Sequence, residues 1–273
     1  MPRRPCLVAT VPNVGDTLYS MAFSSSGSAL ATGTLSNLAL WNVSRPAHPS
    51  LLARSGDIGG VNAVAFDPGN DAIVAAVSED GDVRLLRRSG DRLVPTVLRR
   101  SARGNQEYAL AFSPKGKLLA AGGGEQTISL WNMQDPTHPR QIFWPVSQSN
   151  SILSLAFSPD GRYLVAGDGD GSACVYDVSS LRSIGSGRCL TGSNGGDPNS
   201  IDALAFEPNG NVLLSAGRGQ PVVAWSSVLW GASSDAAVAD AVCRLAGRNL
   251  TKAQWSFAFT GTKLARNMHR TCP

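Results

Sequence analysis

Five segments of the chain repeat one another: LYSMAFSSSGSALATG, VNAVAFDPGNDAIVAAV, EYALAFSPKGKLLAAGG, ILSLAFSPDGRYLVAGD and IDALAFEPNGNVLLSAG. Their phenylalanines, Phe23, Phe66, Phe112, Phe157 and Phe206, lie 43, 46, 45 and 49 residues apart. A period of this length means that one small structural unit has been copied. Each copy must then bury its apolar surface on its neighbours, because a unit of that size cannot do so alone. A large side chain follows each phenylalanine by 18 or 19 residues: Trp41, Leu85, Trp131, Tyr176 and Trp225.

Each unit reads as strand, turn, strand, turn, strand. Ile152 to Phe157 alternates as a half-buried strand does, and the SPDG turn behind it combines a proline that presets φ with a glycine that supplies φ > 0. A small apolar strand (YLVAG) and a second Gly/Asp turn follow, and the third strand ends in the aromatic residue. Two of the chain's 3 histidines, His48 and His138, sit in matching Pro-x-His-Pro contexts after Trp41 and Trp131. They are therefore equivalent positions in different copies and not a convergent ligand pair. The prolines Pro49 and Pro139 fall where a fourth, outermost strand starts, at a place where a missing N–H costs nothing.

The AFSPDG, LWN and VYD pieces at this spacing, from Thr17 to Trp225, resemble the WD40 repeats of β-propellers. The LWNVSRPAHP linker is similar to that of bacterial arrays often fused behind regulatory NTPases. The Gly-His dipeptide of eukaryotic repeats is missing, so the family's Asp-His-Ser-Trp network is expected to be partial at most. The resemblance implies an all-β propeller of five four-stranded blades over 4–230, with a helical tail over 231–273. Pro5 lies 18 residues before Phe23, as Pro139 lies 18 before Phe157. That phase makes Arg4 to Val11 an outer strand that closes the ring beside the strand ending at Trp225. The family's usual partner site is the narrower face, which here brings up Arg103, Gln106, Glu107, Asn150, Asp202, Arg218 and Gln220 as candidate protein-binding residues.

The tail changes period. Ala237, Val238, Ala241, Val242 and Leu245 fall on one helical face, with Asp235 as N-cap and Gly247 as the stop. It resembles a tail carried by the same arrays, packed on the propeller or serving as a docking segment. Cys243 and Cys272 recur in that tail and are expected near each other. The 5 cysteines are odd in number and lack zinc-type spacing, so they read as reduced thiols, with Cys174 buried and inert. No apolar run reaches the ~18 residues of a membrane span, and the N-terminal apolar run is too short for a secretory signal. The sequence thus points to the cytoplasm and gives no membrane partner.

Little in the chain points to catalysis, metal or cofactor. His48, His138 and His269 neighbour no nucleophile motif, and a propeller hydrolase would lack its ligand set. Asp168 and Asp170 in GDGDG imitate a calcium loop but lack the rest of its ligands, so they read as a turn. One charge feature stands out: Arg84, Arg87, Arg88, Arg92, Arg99, Arg100 and Arg103 face a single acid, Asp91. Such a run is either a solvated edge hairpin protected from pairing or a docking patch for an acidic protein or polyanion. Aromatic residues are not interleaved, which argues against nucleic acid. The expectation is a non-enzymatic interaction scaffold or sensor module with a protein partner and no small-molecule substrate. The alternative is a truncated sensor end of a regulatory NTPase.

Overall fold

The computed structural model describes residues 7–11, 17–100, 106–142, 148–181, 184, 187–191, 200–218 and 222–226. The chain divides into two compact units, Met1–Leu155 and Ala156–Pro273. Blade one holds β1 (Leu18–Phe23), β2 (Ala29–Thr34), β3 (Leu38–Asn42) and β4 (Ser50–Arg54); blade two holds β5 (Val61–Asp67), β6 (Asn70–Ser78), β7 (Val83–Ser89) and β8 (Arg92–Arg99). Blade three is β9 (Glu107–Phe112), β10 (Leu118–Gly123), β11 (Ile128–Asn132) and β12 (Arg140–Ile142). Blade four is β13 (Ile152–Phe157), β14 (Tyr163–Asp168), β15 (Ser172–Asp177) and β16 (Arg188–Thr191), and the fifth sheet holds β17 (Ala203–Phe206), β18 (Val212–Ala216) and β19 (Val223–Ser226). Every sheet is an antiparallel meander, apart from one parallel bridge, Arg54 to Arg92, that joins blades one and two at their outer strands.

The turns repeat as faithfully as the strands. Ser24, Ser113 and Ser158 each open the first turn, and each hydroxyl accepts the amide of Ala29, Leu118 or Tyr163 at 2.9–3.1 Å. Gly27, Gly116 and Gly161 close the turns at φ of 69°, 65° and 74°, a conformation that a side chain would strain. Two other glycines act by their lack of volume. A β-carbon on Gly33 would come within 2.6 Å of Val61 Cγ1, and one on Gly122 within 2.8 Å of Ile152 Cγ2. The second strand of a blade is thus bare where the first residue of the next inner strand presses on it.

Alternate residues of each strand point to opposite faces of the sheet, and the two faces differ in kind. The face turned toward the next blade is built of small or aliphatic residues. Ala31, Leu40 and Ala53 of blade one pack under Val64, Phe66, Val74 and Leu86 of blade two. The face turned toward the preceding blade carries the rings: Phe112, Leu119 and Trp131 of blade three cover Ala75, Val77 and Leu85 of blade two. In the second unit Phe206, Leu213 and Trp225 meet Val165, Ala173 and Val175 in the same way. At about 25 cal/mol per Å² of buried apolar surface, these interfaces supply most of the folding drive.

Three expectations change. Phe23, expected as an anchor, is 64% exposed, on the face of β1 turned away from blade two. The outer strand expected over Arg4 to Val11 is not formed in its described part: residues 7–11 carry no strand, and Leu7 and Val8 are exposed. The fifth sheet has three strands among the described residues, where four were expected. The tail over 231–273, with Cys243, Cys272 and His269, lies outside the described residues.

Candidate interaction surface

In the first unit, the end of the sheets where inner strands begin holds a charged cluster. Arg99, at the end of β8, reaches Glu107 at the start of β9 with one guanidinium nitrogen and Glu125 in the turn between β10 and β11 with another. Glu107 is 1% exposed, and its second oxygen, Oε2, is buried with no hydrogen-bond partner. Burial pushes its carboxyl up to about 7; Arg99 opposes the rise, and Glu125 adds to it. The other repeats carry Leu18, Val61, Ile152 and Ile201 at this register, so the sequence did hold a signal: an acid at an apolar position needs a buried partner. Arg99 is thus held by two carboxylates rather than standing free in a basic patch, and Glu125, which no motif in the sequence marks, is one of them.

The candidate residues separate on inspection. Gln106 is exposed, and its carbonyl accepts the Gly124 amide at 2.9 Å. Glu107 is a buried brace and offers no surface. Asn150 is exposed and caps the Ser151 amide at 2.7 Å. In the second unit, Asp202 and Arg218 are exposed, and the Asp202 amide donates to the Ala216 carbonyl at 2.9 Å. Arg103 and Gln220 lie outside the described residues.

The arginine run divides along its hairpin. Arg84 pairs with Asp80 at 2.6 Å and Asp82 at 3.0 Å and also meets Ser78, while Arg99 is held in the glutamate cluster. Arg87, Arg88 and Arg92 gather at the opposite end, around the β7–β8 turn, where Arg88 Nε donates to the Gly90 carbonyl at 3.0 Å. Arg88, Arg92 and Arg100 are exposed. The positive charge available to a partner is therefore smaller than the count in the sequence, and it stands at two separate ends.

The remaining chemistry is local. Asp168 is buried and accepts the amides of Asp170 (3.3 Å) and Ser172 (2.9 Å), which is turn chemistry; burial and the Asp170 side chain push its carboxyl up to about 7. His138 Nδ1 lies 3.0 Å from Asp135 Oδ2 in an open pocket of about 260 Å³, lined also by Asn132, Gln134 and Arg140. Hydrogen bonds from Thr137 and His138 hold the Asp135 carboxyl down at about 2. Thr137 Oγ1 and Asp135 meet the same ring nitrogen, so this is no nucleophile–base–acid relay. His48 makes the matching backbone turn to Arg45.

Two further networks refine the sequence reading. Trp41 Nε1 donates to Thr32 Oγ1 at 2.9 Å and Trp225 Nε1 to Ser215 Oγ at 2.8 Å, the partial indole–hydroxyl network expected. The expectation of reduced thiols is corrected: Cys174 and Cys189 form a disulfide, because the β15–β16 register places them directly opposite, with Cα atoms 3.9 Å apart. Among the described residues no cluster of three or more metal-ligating side chains occurs, and no helix is long and apolar enough to cross a membrane.

Meandering sheets of one repeated unit, packed face to face, define an all-β propeller-like repeat protein. The comparisons agree. The family profile "WD domain, G-beta repeat" matches residues 142–177, and "Anaphase-promoting complex subunit 4 WD40 domain" matches residues 64–143. THO complex subunit 3 of Arabidopsis thaliana is 26% identical over 137 residues, a match spanning 48% of this chain and 42% of that protein. The crystal structure of the Myceliophteria thermophila Cps50 (Swd1) β-propeller domain superposes with a TM-score of 0.65 at 16% identity, covering 77% of this chain and 70% of that one. These matches support the WD40 repeat family and the β-propeller fold for this chain.

Proposed function

We propose that this chain is a non-enzymatic scaffold or sensor module that presents loops at the ends of its blades to a protein partner. The observation that carries the reading is the WD40-type repeat itself, a fold whose members typically bind proteins. In favour of an acidic partner are Arg87, Arg88 and Arg92, gathered at one hairpin end apart from the carboxylates that hold Arg84 and Arg99. In favour of the strand-start end are Gln106 and Asn150, both exposed, with the Gln106 carbonyl held by the Gly124 amide and the Asn150 side chain capping Ser151. A positive surface of this kind speeds association and makes it salt-dependent.

The test is affinity capture with the intact chain, followed by binding at several salt concentrations. Reversing Arg87, Arg88 and Arg92 to Glu should weaken capture and flatten its salt slope. Unchanged binding with an unchanged slope would leave these arginines as a solvated edge.

A further inference from the structure

Blades one and three make the same turn between their third and fourth strands and furnish it differently. In blade one the His48 amide donates to the Arg45 carbonyl at 2.9 Å, and in blade three the His138 amide donates to the Asp135 carbonyl at 3.0 Å. Asn42 and Asn132 cap the two turns alike, accepting the amides of Ser44 and Gln134 at 3.0 and 2.9 Å. Yet Arg45, Ala47 and Ser50 of blade one stand where blade three has Asp135, Thr137 and Arg140. The turn forms with either set, so folding does not explain the second. Asp135 and Arg140 line the pocket of about 260 Å³ together with Asn132, Gln134 and His138.

The hydrogen bonds in this pocket show what a ligand would have to supply. Asp135 accepts from the Thr137 amide at 2.9 Å, from the Thr137 hydroxyl and from His138 Nδ1 at 3.0 Å. Its carboxyl is held down at about 2, so it is an ionised acceptor. Thr137 Oγ1 spends its hydrogen on Asp135 and can only accept from the ring, so Nδ1 carries the imidazole hydrogen. The Asn132 side-chain oxygen is spent on the Gln134 amide. Asp135 is thus occupied from within, while the strongest donors are unspent. The Arg140 guanidinium and the side-chain NH2 groups of Asn132 and Gln134 engage none of the described residues.

We propose that this pocket binds a carboxylate of the partner protein, held by the Arg140 guanidinium and the side-chain NH2 groups of Asn132 and Gln134. The proposal rests on the reading of the chain as a protein-binding module and adds a contact to it. An arginine matches a carboxylate with two parallel N–H donors. Asp135 balances the charge of Arg140, which favours a singly charged group over a phosphate dianion. The volume suits one small group and not a drug-sized ligand. The Met133 amide donates to the Lys117 carbonyl at 2.8 Å, so the exposed Lys117 belongs to the same end of blade three. The β7–β8 turn with Arg88 and Arg92 lies at the matching end of blade two. An acidic segment seated there would meet positive charge on both blades.

Small probes test the site on the intact chain, isotope-labelled for NMR. Acetylglycine offers a chain-end carboxylate, and acetylglutamate N-methylamide offers a side-chain one. Acetylglycinamide is the uncharged control, and inorganic phosphate is the competing anion. The side-chain amide signals of Asn132 and Gln134 should shift saturably with one or both carboxylates. Whichever binds more tightly identifies a chain end or an acidic side chain as the source. Arg140→Gln should weaken that binding by at least about tenfold, because a charge-assisted pair is lost. Arg45→Gln, in the matching turn of blade one, should leave it unchanged. Melting curves verify the fold of each variant, and Arg140→Lys, which keeps the charge and loses the fork, replaces Arg140→Gln if it fails. The proposal is overturned by the absence of a saturable shift, by equal shifts with acetylglycinamide, by tighter binding of phosphate, or by undiminished binding to the Arg140 variant. A chain that captures a protein partner but ignores every probe overturns this site and leaves the proposed function standing. Probe binding without any captured partner does the reverse.

Discussion

Replacing Glu107 by Gln should flatten the pH dependence of stability. The folded chain holds this carboxyl at about 7, against 4.5 for a free glutamate, because burial disfavours its charge more than Arg99 supports it. Over that interval the native state keeps a proton that the unfolded chain has released. By linkage, stability is greatest below about pH 4.5 and declines as pH rises, levelling off above about pH 7. At about 1.4 kcal/mol per pH unit, the interval is worth about 3 kcal/mol, a large part of a domain's stability. Glutamine keeps the shape and has no charge to bury, while Arg99 retains Glu125 as a partner. Asp168 shifts in the same direction, so the cleanest background is Asp168→Asn. Urea unfolding at pH 5 and pH 8 measures most of the effect: the parent should lose about 2.5 kcal/mol more between the two than the Glu107→Gln variant. Equal losses, or a parent that gains stability toward pH 8, would refute the reasoning.

Thr32→Val removes the acceptor of the buried Trp41 indole and should cost about 1–3 kcal/mol, measured by the same unfolding. Ser215→Ala should cost less, because Trp225 is only partly buried. In unreduced protein, peptide mapping after maleimide treatment should leave Cys174 and Cys189 unmodified, and reductant should expose both. Labelling of both before reduction would remove the disulfide from the picture. Because the bond closes a loop with a sequence separation of 15, opening it should cost about 3 kcal/mol by chain entropy. Its presence in protein taken directly from cells would also speak against a strongly reducing compartment.

The repeat was legible because strands and turns are local. The Phe-to-Trp spacing, the Ser-x-x-Gly turns and the alternation of faces all follow from residues near one another in the chain. What escaped depends on register between strands or on partners outside the segment being read. Cys174 and Cys189 carry no motif, and only the antiparallel pairing of β15 with β16 sets them opposite. The arginine run was counted from Arg84 onward, and the acids that neutralise it, Asp80 and Asp82, stand just before that point. Glu107 was placed among surface contacts because it begins a strand, although every other repeat marks that position as interior. Phase alone placed Arg4 to Val11 as an outer strand, but strand formation needs a paired neighbour, and the described residues 7–11 carry no strand.

The bare glycines have a wider bearing. At Gly33 and Gly122 the distance from one unit to the next is set by a side chain resting on main chain, not by the fit of two side chains. A spacer made of backbone is indifferent to most substitutions around it. Aliphatic residues farther out on the strands should then be exchangeable for one another without altering the pitch. The chain's tolerance to mutation should therefore be uneven in an unfamiliar way. Large apolar residues would be negotiable, and the least replaceable positions would be those with no side chain at all.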